Sequence, residues 1–230
     1  MECEIFCIKA PEYNISYIPI PKNCSSSIKS YMHELIFGKP FVPFKKHTGK
    51  MLHIHSFFWK DFKLNDHRET LFSKEDPEIS FVVMREPIRR FISAFRNRVI
   101  AHKENTTGSA SININDFIND LRANIDSLES LDHHMCPQTS WIGNDLSIFD
   151  LVYECDTAWI LNRVLKKFTN TDYEFVRMQT GGPWIELGEL TKKSVMTLFD
   201  YYEEDYENFK HLYTQDKLLN EYKLVKHGAK

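Results

Sequence analysis

Two segments about sixty residues apart constrain this chain most: Ile18-Pro19-Ile20-Pro21-Lys22-Asn23-Cys24-Ser25-Ser26-Ser27-Ile28 and Phe81-Val82-Val83-Met84-Arg85-Glu86-Pro87-Ile88-Arg89-Arg90-Phe91-Ile92-Ser93. Each passes from an apolar or β-branched stretch, through a polar knot, into a helical pattern. The start of a helix carries backbone N–H groups without intrahelical partners and the positive end of the helix dipole. A lysine and three hydroxyls delivered there form a cradle for phosphate or sulfate. The second segment ends its strand on Arg85 and carries Ser93 eight residues later on the following helix, a second oxyanion grip. Two such grips suggest a ligand with two anionic ends.

The periodicities between these segments alternate strand and helix. Asn14 to Ile20 reads as a strand, and Ile28, Tyr31, Met32, Leu35 and Ile36 keep helical spacing up to a stop at Gly38. Ile79 to Met84 is a near-continuous apolar run, the pattern of a strand buried on both faces of a parallel sheet. Pro87 suits a first helical turn, with Ile88, Phe91, Ile92, Phe95 and Val99 along one face. Phe149 to Cys155 reads as another strand, Trp159 to Leu165 as its following helix, and Tyr173 to Met178 as a weaker strand. Thr191 is placed to cap a long amphipathic helix running through Leu198, Tyr206 and Tyr213. This alternation predicts an α/β fold, a three-layer sandwich around a central, mostly parallel sheet, with ligands at the carboxyl ends of the strands. The turn-rich stretch Lys103 to Ser111 reads as an exposed loop, so 230 residues predict a single domain over 1–230.

Composition narrows the partners. A formal net charge of −3 lacks the basic excess of a nucleic-acid or polyanion binder. Five cysteines, at 3, 7, 24, 136 and 155, form neither a C-x-x-C pair nor an even disulfide framework, which favours a reducing compartment. The opening Met1-Glu2-Cys3-Glu4-Ile5-Phe6-Cys7 has no signal-peptide or anchor pattern, so the expected location is cytoplasmic.

Each motif has a plainer reading beside the chemical one. The serines after Lys22 could only cap a helix, and Arg85 could pair with Glu86 or Asp116 at the surface. A Walker A loop is disfavoured, because the Lys22 segment has no glycine and its lysine precedes the hydroxyls. In an extended segment His53 and His55 project to one side, where a histidine can take a proton near neutral pH. Alternatively one of them packs with Phe57, Phe58 and Trp59, or the pair joins His133 and His134 around a metal, although no spaced carboxylate accompanies them. No metal is expected. Arg89 and Arg90 read as solvated helix residues.

Taken together these residues resemble the sulfotransferases that use adenosine 3′-phosphate 5′-phosphosulfate (PAPS). The first segment is similar to their 5′-phosphosulfate motif, and Arg85-Glu86-Pro87 with Arg89 and Ser93 to their 3′-phosphate motif. The likeness is closest to the carbohydrate enzymes of the heparan 2-O and chondroitin types. His53-Ile54-His55 resembles the uronyl 2-O segment that holds the base, and Asp132-His133-His134 with Pro137-Gln138 the chondroitin-type stretch. The resemblance implies a P-loop-NTPase-like sulfotransferase fold and in-line transfer of a sulfuryl group from PAPS to a hydroxyl of a carbohydrate. It gives Lys22 the sulfuryl or bridging oxygen, and Asn23, Cys24, Ser25, Ser26 and Ser27 the 5′-phosphate. Arg85 and Ser93 take the 3′-phosphate, His55 is the base, His53 its helper, and His134 and Gln138 line the acceptor or nucleotide side. Asp205 matches a position whose role looks structural. Two other functions stay open, a non-catalytic nucleotide- or glycan-binding module and a P-loop kinase-like phosphotransferase.

Overall fold

The computed structural model describes residues 7–46, 49, 51–58, 79–104, 112–176 and 181–228. In chain order its strands are β1 (Ile8–Ala10), β2 (Ile15–Ile18), β3 (Phe44–Lys45), β4 (Met51–Leu52), β5 (Ile79–Met84) and β6 (Leu151–Glu154). Its α-helices are α1 (Ser25–Phe37), α2 (Ile54–Ser56), α3 (Pro87–Phe95), α4 (Ile114–Asn119), α5 (Leu121–Asp126), α6 (Glu129–Met135), α7 (Thr139–Ile142), α8 (Ala158–Thr169), α9 (Lys192–Tyr201), α10 (Glu203–Asn208) and α11 (Gln215–Gly228). Two compact units divide the chain, one from residues 1–84 and 145–179, the other from 85–144 and 180–230. No helix among the described residues is long and apolar enough to cross a membrane.

The first unit is the α/β one. Its sheet runs β1-β2-β5-β6, with β1 antiparallel to β2 and the other two pairings parallel. The apolar run Ile79–Met84 forms β5 with the predicted bounds, and Phe81, Val82, Val83 and Met84 are almost entirely buried. Tyr17, opposite Phe81 in the register, stacks on it at 4.9 Å. Helix α1 buries Ile28, Tyr31, Met32 and Leu35 in the same core as Ile15, Val83, Leu161 and Leu165. Each such side chain contributes about 1.5–3 kcal/mol on leaving water. Gly38 ends α1 in the left-handed region (φ 66°), its N–H donating to Glu34 O at 2.8 Å.

Three strand expectations change, and the first is the strand read over Phe149 to Cys155, which is confined to Leu151–Glu154 because Cys155 already enters a helical turn. β2 begins only at Ile15, because Asn14 is left-handed (φ 50°), and stops at Ile18, ahead of two prolines that cannot donate to a ladder. Residues 173–176 pair with no strand, and 177–178 lie outside the described residues. The segment still packs: Phe175 meets Tyr31 edge-on at 5.0 Å, and Asn162 Nδ2 donates to Tyr173 O at 3.2 Å. Of the predicted Lys103–Ser111 loop, 105–111 lie outside the described residues.

The second unit is helical. Glu86 caps α3, its carboxylate accepting from the N–H groups of Ile88 (3.2 Å) and Arg89 (2.8 Å), while Pro87 occupies the first turn. Tyr206 donates its hydroxyl to the same carboxylate. Helix α3 packs against α6 and α9, so it is buried on more than its apolar stripe. Arg90 is therefore no solvated residue: it is fully buried and donates to Cys136 O at 2.5 Å. Thr191 caps α9 as expected, Oγ1 accepting from Ser194 N at 3.0 Å. The long amphipathic helix expected after it breaks at Tyr202 (φ −105°, ψ 22°), whose hydroxyl donates to Met135 O at 2.6 Å.

Glu86→Ala removes the cap of α3 and strands the Tyr206 hydroxyl. The combined loss should be about 2–4 kcal/mol of unfolding free energy, read from urea melts. A loss under about 0.5 kcal/mol would show that the cap is dispensable.

Candidate active site

The loop after β2 is bent by two left-handed residues, Lys22 (φ 69°) and Cys24 (φ 59°). Neither is glycine, and each such conformation costs on the order of 1–3 kcal/mol that the surroundings must hold in place. Asn23 between them is wholly buried, Nδ2 donating to Val83 O at 2.9 Å and its N–H to Ile20 O at 3.3 Å. Asn23 thus ties the loop to β5, two residues ahead of Arg85 in sequence. Cys24 is the N-cap of α1 and makes no side-chain cap bond; its thiol lies against Cys155, Sγ to Sγ 2.8 Å, without a disulfide. None of the three serines is the cap residue. Ser25, Ser26 and Ser27 form the first turn itself, where helix N–H groups point outward with the dipole behind them, the first buried and the other two half-buried.

Beside this turn stands His55. The chain does not stay extended: β4 ends at Leu52, His53 is exposed with β-type angles, and Ile54 enters the core as α2 begins. The period-two alignment of His53 with His55 is lost at that turn. His55 faces α1, Nε2 at 2.8 Å from Ser26 Oγ and Nδ1 at 3.2 Å from Lys29 Nζ. His33 packs into the aromatic cluster, against Phe37, Phe41 and Phe57, while Trp59 lies outside the described residues. Lys29, unremarked in the sequence, is 7% exposed, and burial lowers its amine to about 7.

In the second unit Gln138 is fully buried and acts as a clamp on Arg85. Its Oε1 accepts from Arg85 N at 3.1 Å and its Nε2 donates to Arg85 O at 2.9 Å, as a neighbouring strand would. Nε2 also donates to Tyr213 Oη at 3.0 Å. Asp205, also fully buried, accepts from Gln138 N and Thr139 N, both at 2.9 Å, and so fixes the start of α7. Arg85 and Ser93 are half-buried. Burial, and then the nearby guanidinium of Arg85, lowers Arg96 from the usual arginine value. Two guanidiniums held this near form an anion-attracting pair. Arg96 donates to Gly182 O at 3.0 Å and stacks over Trp184 at 4.9 Å. Gly182 (φ 76°) admits no side chain, since a Cβ would come within 2.2 Å of Arg96 O. His134, half-buried on α6, donates Nδ1–H to Ser130 O at 2.8 Å, and His133 meets the Trp141 ring at 4.8 Å. Among the described residues no cluster of three or more His, Cys, Asp or Glu is arranged for a metal.

Sequence reasoning singles out segment 22–27, Arg85 and His55, and the structure gives the surroundings of each. That reasoning gave Lys29 no place, and marked Arg96 only as one of a local run of basic residues with Arg89, Arg90 and Arg98. It also did not foresee that Asn23 and Gln138 would be buried braces. No curated protein and no solved structure matches the chain. A family model does: the one described as the Sulfotransferase family matches residues 7–177, from β1 to the segment after α8, taking in Lys22, His55, Arg85, Ser93, His134 and Gln138. With a mixed, mostly parallel sheet and that match over most of its length, the chain belongs to the sulfotransferase family and is an enzyme of sulfuryl transfer.

Proposed function

We propose that the chain, as one catalytic domain over 1–230, transfers a sulfuryl group from PAPS to a hydroxyl of a saccharide, with His55 as general base. The observation that carries this reading is the 2.8 Å contact between His55 Nε2 and Ser26 Oγ, which sets a histidine at the lip of the anion cradle. The donor set suits a phosphosulfate: one flexible lysine, three hydroxyls and the N–H groups of a helix start. PAPS supplies the sulfuryl group and a phosphate leaving group. Lys22 answers the negative charge that grows on that leaving oxygen, and Ser25 to Ser27 hold the 5′-phosphate. Arg85, whose peptide Gln138 fixes, binds the 3′-phosphate with Ser93, and Arg96 adds positive charge beside it. Asn23 contributes by bracing the cradle, and Cys24 by its backbone turn. We assign Gln138 to positioning Arg85, and His134 and exposed His53 to the acceptor side. The cysteine pattern favours a reducing, cytoplasmic setting.

If Arg85 recognises the 3′-phosphate, Arg85→Ala should weaken adenosine 3′,5′-bisphosphate binding by about 1.5–3 kcal/mol in calorimetry and leave ADP nearly unaffected. Equal losses for both nucleotides would remove that role. Lys22→Ala should lower kcat more than it weakens the bisphosphate, because its work is done at the transferring group; a variant with normal kcat and only poorer binding contradicts the assignment. His55→Ala should cost about 10²–10⁴-fold in turnover at unchanged nucleotide affinity, assayed with PAPS over desulfated heparan and chondroitin oligosaccharides, a tyrosyl peptide and a simple phenol. Transfer confined to the peptide or the phenol would overturn the saccharide reading.

A further inference from the structure

A neutral imidazole has one N–H and one lone pair, and the partner of one nitrogen dictates which carries the proton. His55 is held at both nitrogens by residues of α1, Ser26 at Nε2 and Lys29 at Nδ1. If Nε2 is to accept a proton, Nδ1 must bear the ring hydrogen, and that N–H points at Lys29. An ammonium offers three donors and no acceptor, so it cannot receive this hydrogen bond; a neutral amine can. The base-competent arrangement therefore joins an uncharged Lys29 to the Nδ1–H form of His55, with the Ser26 hydroxyl donating to Nε2.

We infer that Lys29 is a positioning residue of the transfer reaction, one that selects the proton-accepting tautomer of His55 and receives the proton that His55 passes on. This rests on the assignment of His55 as base. In the step, the acceptor hydroxyl takes the place of Ser26 at Nε2. Its O–H bond breaks as Nε2–H forms, and the Nδ1 proton moves to Lys29 Nζ, leaving neutral imidazole and an ammonium. One proton has travelled from acceptor to lysine and no electrons have changed hands. The site is built for this: Lys29 is 7% exposed in the first turns of α1, within hydrogen-bond distance of His55, and burial disfavours its charged form, lowering the amine to about 7. The described elements packed on α1 carry Lys9 (β1), Glu12 and Tyr13 (the turn Pro11–Tyr13) and His55 (α2), and α1 itself carries His33 and Glu34; His55 stands at hydrogen-bond distance from Lys29.

The test is a two-bond proton–nitrogen spectrum of the full chain labelled with ¹⁵N-histidine, from about pH 5 to about pH 9. In the wild type, His55 should be the Nδ1–H tautomer once neutral. Lys29→Met, with nothing to accept, should switch it to Nε2–H and cut kcat about 10–100-fold, with the bisphosphate bound as before. Lys29→Gln, whose amide oxygen accepts a hydrogen bond but takes no proton, should restore the tautomer and leave kcat reduced. An Nε2–H tautomer in the wild type overturns the inference, as does a Lys29→Met chain with unchanged tautomer and rate. Normal turnover in His55→Ala instead removes the base assignment, whereas an inactive His55→Ala beside a fully active Lys29→Met removes only the role of Lys29.

Discussion

The anion cradle depends on a buried hydrogen bond of a single side chain, Asn23 Nδ2 to Val83 O. The loop it secures turns through left-handed geometry at Lys22 and Cys24, where glycine would be the relaxed choice. A strained loop persists only when its surroundings over-determine it, and a buried amide paired with the centre of a parallel sheet does that. The same bond holds the loop two residues ahead of α1, whose first turn is Ser25 to Ser27. It also links the cradle to β5, the strand that runs directly into Arg85. In the second unit the corresponding device is another buried amide, Gln138, gripping the Arg85 peptide from both sides. Both units use a buried side-chain carboxamide to hold backbone in place.

Much of the fold was legible where burial is one-dimensional. Ile79–Met84 is buried on both faces, so an unbroken apolar run marks it without ambiguity. Gly38 and Thr191 announce helix ends through local geometry. What escaped was set by partners distant in sequence. Arg90 looks like any second arginine of a helix; α6 and α9 bury it. Apolar spacing continues unbroken through Tyr202, so it cannot signal that this residue ends α9, its hydroxyl held by Met135 O and Asp205 turned under α7.

The site divides the same way. The residues proposed to hold anions sit in contiguous motifs, since a helix start concentrates donors within a few positions. The residues that tune them do not. His55 was visible as a base candidate, yet its surroundings were misjudged, because period-two reasoning holds only while the chain stays extended and α2 begins one residue after His53. Lys29 gave no sign at all: a lysine on the first turns of a helix ordinarily faces water, and only the fold buries this one against His55.

With His55 as the proposed base, that burial answers an electrostatic conflict intrinsic to sulfuryl transfer. The leaving phosphate needs positive charge, but positive charge close to a general base makes the base weaker. Lys22 lies in the loop ahead of α1, while Lys29, seven residues on, lies against the histidine. Were both ammonium groups, His55 would hold its lone pair beside a cation and accept a proton poorly. Desolvation of Lys29 penalises its charged form, so the second lysine can stand at His55 without that cost and take up a charge only when the acceptor has given up its proton. In the proposed step the new cation appears within one helical turn of Ser26, the other partner of His55. A single helix start can in this way serve the leaving group with its N–H groups and the base with the side chain one turn further in.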